Sequence, residues 1–182
     1  IERVAAIIAI GDEQADEWRM SVQLEGYPDL VSGVRSLSAI VAGGVATGSE
    51  TVKAWRAGKT HLIQETRGEL ANAVIDYWAT ALAAANPDFT ASPDWFDRDC
   101  FYVPYVYNRY GAIGMTRFDE PITDDEIDIL KRFSKIFEFA YSRFLELQAR
   151  EERAHEASLE AAAERVRAAA MQMRSSANLM DV

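Results

Sequence analysis

Few side chains in this sequence carry reactive chemistry, and their types and spacing limit what that chemistry could be. The chain has one cysteine, Cys100, and two histidines, His61 and His155. One thiol allows neither an internal disulfide nor a multi-cysteine metal site. A histidine-based metal site would need carboxylates to complete its ligands. Asp94, Asp97 and Asp99 could meet a cation, but their spacing is not that of an EF-hand loop, so a solvated loop is expected. No Ser/His/Asp grouping, glycine-rich phosphate loop or paired carboxylate motif stands out. The phosphoacceptor histidine and ATP-binding features of a kinase are also missing. The sequence therefore predicts no catalytic residues, no metal and no required cofactor. It points to a non-enzymatic protein.

Composition narrows the partners. The 182 residues are 49% hydrophobic and 26% charged, and eight Phe, seven Tyr and four Trp can fill one substantial core. The net charge of -10 argues against nucleic acid, whose phosphates need clustered Lys and Arg. It equally argues against anionic membrane surfaces. No run of about 18 apolar residues occurs, so no membrane span is expected. Ile1 to Ile10 lacks the cleavage pattern of a signal peptide. A chain that begins in an apolar run at Ile1 reads as a piece of a longer, cytoplasmic protein.

The elements that would position any site follow from periodicity. Val4 to Ile10 is a short β-type run ending in the turn residues Gly11 to Ala15. Trp18, Met20, Val22 and Leu24 alternate with Arg19, Ser21, Gln23 and Glu25, the period of a strand with one buried face. Val34 to Val41 reads as a third strand. Ser49 can cap a short helix that turns Val52 and Trp55 inward and ends at Gly58. Thr60 to Gln64 reads as a strand. Residues 67 to 85 read as a helix, with Leu70, Val74, Tyr77, Trp78 and Leu82 on one face and Pro87 as its stop. Residues 86 to 99 read as a loop. Cys100 to Tyr107 and Tyr110 to Phe118 read as a hairpin joined at Asn108-Arg109. Pro104 implies an edge, a bulge or an unpaired N–H. The order β-β-β-α-β-α-β-β-α is that of an α+β fold around an antiparallel sheet.

A long C-terminal helix is the clearest prediction. Thr123-Asp124-Asp125-Glu126 matches a capping box, and three acids in the first turn suit the positive end of the helix dipole. No Pro or Gly follows. Fifty residues of helix would be roughly 75 Å long, beyond what a domain of this size can cover. Leu130, Phe133, Phe137, Ala140, Phe144 and Leu147 follow alternating three and four spacing, a heptad seam, with Ile127, Ile136 and Phe139 as a second flank. This first half is expected to pack on its own sheet and on a partner helix at once. Gln148 to Glu156 is almost wholly polar. The seam resumes at Leu159, Ala163, Val166, Ala170 and Met173 after a 12-residue step that local unwinding of a supercoil can bridge. A half-polar helix of this length is marginal alone. The reading is a parallel dimer, against an extended single helix or one folded back on its domain. The chain divides into a domain over 1–122 and a helix over 123–182.

These residues carry a family resemblance. Val52-Lys53-Ala54-Trp55-Arg56-Ala57-Gly58-Lys59 resembles the GAF element in which a short helix ends in W-x-x-G-K and feeds a strand. Glu126 to Phe133 resembles the start of the last GAF helix, and Tyr141 to Gln148 the exit helix of GAF domains in multi-domain bacterial signalling proteins. Glu160 to Ala168 and Met171 to Ser176 resemble the helical linker to a following module, and Ser175 to Val182 the start of that module's equivalent helix. The first helix usual in such a domain is missing ahead of Ile1.

The resemblance implies a GAF-like antiparallel sheet flanked by helices, followed by a coiled-coil helix. It implies a sensory or dimerisation module acting on an output domain, a histidine kinase or nucleotide cyclase, outside this piece. It further implies a small-molecule pocket walled by Trp78, Trp95, Tyr102, Tyr105 and Tyr107. Against that stands plain core filling. The family's cyclic-nucleotide residues are not matched in spacing by Phe118-Asp119-Glu120, which reads as a turn. Its chromophore cysteine pattern fails because Phe101 follows Cys100. A haem would need an axial histidine, and its sulfoxide-reducing enzymes use several cysteines. The expected homodimer seam is Leu130, Phe133, Phe137, Phe144, Leu147, Leu159, Val166 and Met173. Two functions remain: a ligand-responsive sensor that transmits through the helix, or a ligand-blind dimerisation spacer.

Overall fold

Alternating side chains build the first hairpin. The computed structural model describes residues 3–24, 31–43, 46–85 and 88–179. Strand β1 (Arg3–Asp12) pairs antiparallel with β2 (Glu17–Leu24), Ile7 opposite Val22 and Gly11 opposite Trp18. The Asp12 carboxylate closes the turn by accepting the Gln14 and Ala15 N–H groups at 2.9 and 3.0 Å. The other hairpin is β5 (Cys100–Asn108) with β6 (Gly111–Phe118), joined by two residues. Gly111 fits because a side chain there would run into the Ala9 carbonyl of β1. With β3 (Val31–Ser36) and β4 (His61–Arg67) these strands form one six-stranded antiparallel sheet, ordered β3-β2-β1-β6-β5-β4.

Helices cover one face. They are α1 (Leu37–Gly43), α2 (Ala46–Arg56) and α3 (Gly68–Ala85). The odd residues of β1, the even residues of β2 and the odd residues of β5 point towards them. Ile7, Ala9, Trp18, Val22, Phe101, Val103 and Tyr105 thus share a core with Leu37, Ile40, Val52 and Val74. The opposite face of β5 and β6 is covered by the first turns of α4 (Asp124–Leu179), where Val106 and Met115 meet Ile127 and Leu130. The molecule is therefore α+β, an antiparallel sheet with helices and a long C-terminal helix.

Two boundaries differ from the sequence reading. The expected strand over Val34 to Val41 ends at Ser36, and residues 37–43 are helical. The cause is tertiary. Asp16, held at φ 54°, caps α1 from 20 residues away. Its carboxylate accepts from the Ser38 N–H at 2.9 Å and the Ser36 hydroxyl, and its carbonyl accepts the Leu37 N–H at 3.0 Å. The second helix starts at Ala46, so Ser49 lies inside it and does not cap it. Pro104 lies in neither an edge nor a bulge. β5 is an inner strand, and its pairing with β6 skips Val103 and Pro104 and resumes in the same register at Tyr105 opposite Gly114. The missing donor is accommodated as a gap in one ladder.

Two compact units divide within α4, Ile1–Glu138 and Phe139–Val182. Among the described residues, no helix is long and apolar enough to cross a membrane.

Candidate functional site

The first unit contains a cavity between the sheet and the helices on its packed face. Trp18 and Met20 of β2, with Phe101, Val103 and Tyr105 of β5, form the floor. Ile40 of α1, Thr51 of α2, and Val74 and Tyr77 of α3 form the roof. Gln64 and Thr66 of β4 close one side and Arg35 of β3 the other. The room inside is about 40 Å³. A water needs about 10–15 Å³ on this measure, so about three or four would fit, whereas a cavity of about 150 Å³ is what admits benzene.

The polar groups at this cavity are placed by strand alternation. Gln64 and Thr66 fall on the packed face and are buried with Thr51. The Thr66 hydroxyl donates to the Phe101 carbonyl at 3.2 Å. Burial pushes the Tyr105 phenol well above its usual range, with the neighbouring Tyr107 adding to it. Tyr107 is raised in the same way, and the Thr51 hydroxyl beside it offsets only part of the effect. Both therefore stay neutral O–H groups at physiological pH. The guanidinium of Arg35 lies 4.5 Å over the Tyr77 ring.

The residues expected to wall a pocket separate. Tyr105 lines the cavity and Tyr107 lies in the same core. Tyr102 stands on the other face of the sheet, one residue out of phase with Phe101 and Val103, and its hydroxyl accepts from Arg67 at 3.2 Å. Trp95 packs on the core edge against Phe89 and Phe118, with ring centroids 6.0 and 6.5 Å away, and does not line the cavity. The side chain of Trp78 lies outside the described ones. Among the lining residues that the sequence reading missed are the polar Arg35, Thr51, Gln64 and Thr66. Alternation could have put Gln64 and Thr66 on one face, but nothing local marks that face as buried.

A second constellation ties α4 to the sheet. Arg117 of β6 is buried on the α4 side and pairs with Glu126 in a bidentate contact, at 2.7 and 3.0 Å. It also donates to the Pro121 carbonyl at 3.1 Å. Glu126 completes the expected capping box, accepting from the Thr123 N–H at 3.0 Å and its hydroxyl at 2.9 Å. Burial raises the Glu126 carboxyl, but the Thr123 hydrogen bonds and the Arg117 charge outweigh it and hold it below the ordinary range. Further along, Asn108 links both sides of the sheet. Its carbonyl accepts from the Trp55 indole at 3.1 Å, and its side-chain amide donates to buried Ser134 of α4 at 3.1 Å. Trp55 packs 5.5 Å from Trp18, which is itself on the cavity floor.

The expected dimer seam is divided by the geometry of α4. At 100° per residue, Ile127, Leu130 and Ser134 share a side, and all three are buried in the first unit. Leu130 thus belongs to the sheet contact, and Phe137 is half-buried. Phe133 and Ile136 fall on the other side and are 59% and 65% exposed. In the second unit Phe144, Leu147, Leu159 and Val166 are exposed. The side chain of Met173 lies outside the described ones.

The other chemically suggestive residues stay apart. Cys100 is buried and free. His61, at the start of β4, and His155, on α4, are exposed. Asp94, Asp97 and Asp99 are exposed in their loop. Asp119, just past β6, anchors that loop by accepting the Asp99 and Cys100 N–H groups at 3.0 and 3.2 Å. Among the described residues, no cluster of three or more His, Cys, Asp or Glu could hold a metal ion. No protein-family model, curated protein or solved structure matches this chain.

Proposed function

We propose that the chain is a GAF-like sensory and dimerisation module of a bacterial, cytoplasmic signalling protein, without catalytic activity of its own. It forms a homodimer through α4 and passes a signal along that helix to an output domain, a histidine kinase or cyclase. The observation that carries this reading is the contrast along α4. The helix is clamped at its start by Arg117 and Glu126, yet presents exposed Phe133, Ile136, Phe144, Leu147, Leu159 and Val166 at helical spacings beyond the clamp. A helix with an uncovered apolar stripe is stabilised by a partner, and a second copy offers the same stripe in register. The acidic charge and the absence of basic clusters favour a protein partner over nucleic acid or an anionic membrane.

Light scattering after size exclusion tests the dimer. A mass near twice 20.3 kDa at micromolar concentration is the expected result. A monomer with a melted C-terminal segment removes the proposal.

A second reading has its own support. The cavity holds only about 40 Å³, so the module could serve as a ligand-blind dimerisation spacer. A thermal-shift screen of small molecules separates the two, because only a sensor gains stability from a specific ligand.

A further inference from the structure

We infer that the cavity beneath the Arg35–Tyr77 pair is a binding site for a short-chain monocarboxylate, with the carboxylate on Arg35 and the hydrocarbon end inside. This deepens the sensor reading above and rests on it.

The charge pattern selects an anion. Among the described residues, Arg35 is the only charged side chain lining the cavity. No carboxylate of a described residue pairs with it there, although the chain carries 29 acidic residues against 19 basic ones. Its guanidinium instead rests on the Tyr77 ring at 4.5 Å. A carboxylate offers the guanidinium two parallel, charge-assisted hydrogen bonds, which the ring face does not. A carboxylate arriving at the β3 edge can therefore take these donors while the hydrocarbon end enters the cavity. Phosphate or sulfate would also attract Arg35, but the floor behind it is Trp18, Phe101 and Val103, which gives no second cation and favours an apolar body.

Size sets the length of that body. Benzene, with six heavy atoms, occupies a cavity of about 150 Å³. In proportion, the 40 Å³ present here holds about two carbon atoms. Two carbons inside and a carboxylate at the edge describe propionate. A ring acid would require Tyr77 and the roof to move much further. The bound on free energy per heavy atom caps so small a ligand at low-micromolar affinity.

The experiment uses the whole chain. Propionate and its neutral isostere propionamide are titrated against the protein and against Arg35→Gln, at matched ionic strength. Binding is read by ligand-observed NMR and by thermal shift. Arg35 is exposed, so the substitution removes little beyond its contact with the Tyr77 ring, and each protein's shift is read against its own unliganded melting temperature. The expected result is propionate binding with a melting shift of a few degrees near saturation. Propionamide should bind at least tenfold more weakly, and Arg35→Gln should lose at least tenfold in propionate affinity. Equal propionate affinity in Arg35→Gln, or equal binding of the amide, overturns the carboxylate assignment and leaves the sensor reading standing. If neither these probes nor a broad small-molecule screen stabilises the protein, the sensor reading falls with it in favour of the spacer.

Discussion

The two stretches of α4 both carry apolar residues at helical spacings, yet lie in opposite environments. From Asp124 to Glu138 the helix buries Ile127, Leu130 and Ser134, shares its first turn with Arg117, and receives a hydrogen bond from Asn108. From Phe139 onward no described side chain is buried. The contacts of this second stretch include local ones, i,i+3 ion pairs such as Arg143–Glu146 at 3.0 Å and the stacking of Tyr141 on Phe144 at 6.0 Å. Pairs of this kind contribute about 0.2–0.5 kcal/mol each. That is small beside the roughly 1.5–3 kcal/mol from burying one Leu or Ile. Helical periodicity shows where a helix can form, whereas burial decides where it must. The first stretch is fixed by tertiary contacts, and the second has the surface of a helix awaiting a partner.

The largest effect is expected at the clamp. Glu126→Ala removes the bidentate partner of buried Arg117 and half of the capping box. Among the described residues only Glu120 remains near, at 4.0 Å and mostly exposed. Leaving a buried charge uncompensated costs about 3–5 kcal/mol. Urea unfolding should show a loss towards the lower end, about 3 kcal/mol, because Glu126 is partly wetted. A loss below about 1 kcal/mol would mean that the clamp does not hold the helix.

Next comes Leu130→Ala, which opens a hole between α4, Val106 and Met115. A loss of about 2–3 kcal/mol is expected in the same assay. If Leu130 instead belonged to a dimer seam, this substitution would weaken association and spare the sheet unit, and sedimentation would distinguish the two.

A smaller effect should appear in acid. The Glu126 carboxyl is held below its unfolded value of 4.5. Its contribution is therefore complete above that value and is lost as pH falls through the depressed folded one. Stability should be flat in this respect from pH 7 to 5 and decline below about 4.5. Glu126→Gln should decline less steeply. The slope does not vanish, since Glu13 beside Arg56 and Asp16 beside Ser36 and Ser38 are lowered too. Identical acid slopes in the two proteins would show that Glu126 is not differentially held.

How far the sequence could be read depended on whether the deciding contact was local. The Trp18 to Leu24 alternation, the helix expected over 67–85 and found over 68–85, and the Thr123–Glu126 box are local patterns, and the structure contains all three. The helix at 37–43 depends on Asp16, far off in the chain, so Leu37 and Ile40 looked like strand residues. The grouping of Tyr102 with Tyr105 and Tyr107 overlooked the two-residue period, which puts Tyr102 on the opposite face. Arg35 gave no signal at all. Its place at the cavity follows from being opposite Trp18 in the sheet, a matter of register between strands. On α4, heptad spacing located the apolar residues, but it could not tell a seam facing the domain's own sheet from one facing outward.

The smallest stability effect, and the sharpest separation of the two stretches, comes from repeating one substitution further along the same helix. Leu159 is 57% exposed and Val166 69%. Leu159→Ala deletes the same atoms as Leu130→Ala but opens no cavity within the chain. Thermal unfolding of the sheet unit should therefore change by less than about 0.5 kcal/mol. Association should respond very differently. If two copies bury Leu159 against each other, each loses about 1.5 kcal/mol of burial. Two such losses weaken the dimer about a hundredfold, readable by light scattering across a dilution series. Val166→Ser should do the same somewhat more mildly. A variant that leaves both unfolding and association untouched would mean that the outer stripe has no partner. The apolar residues of the second stretch would then be helix formers in water, and α4 beyond Glu138 would carry no message.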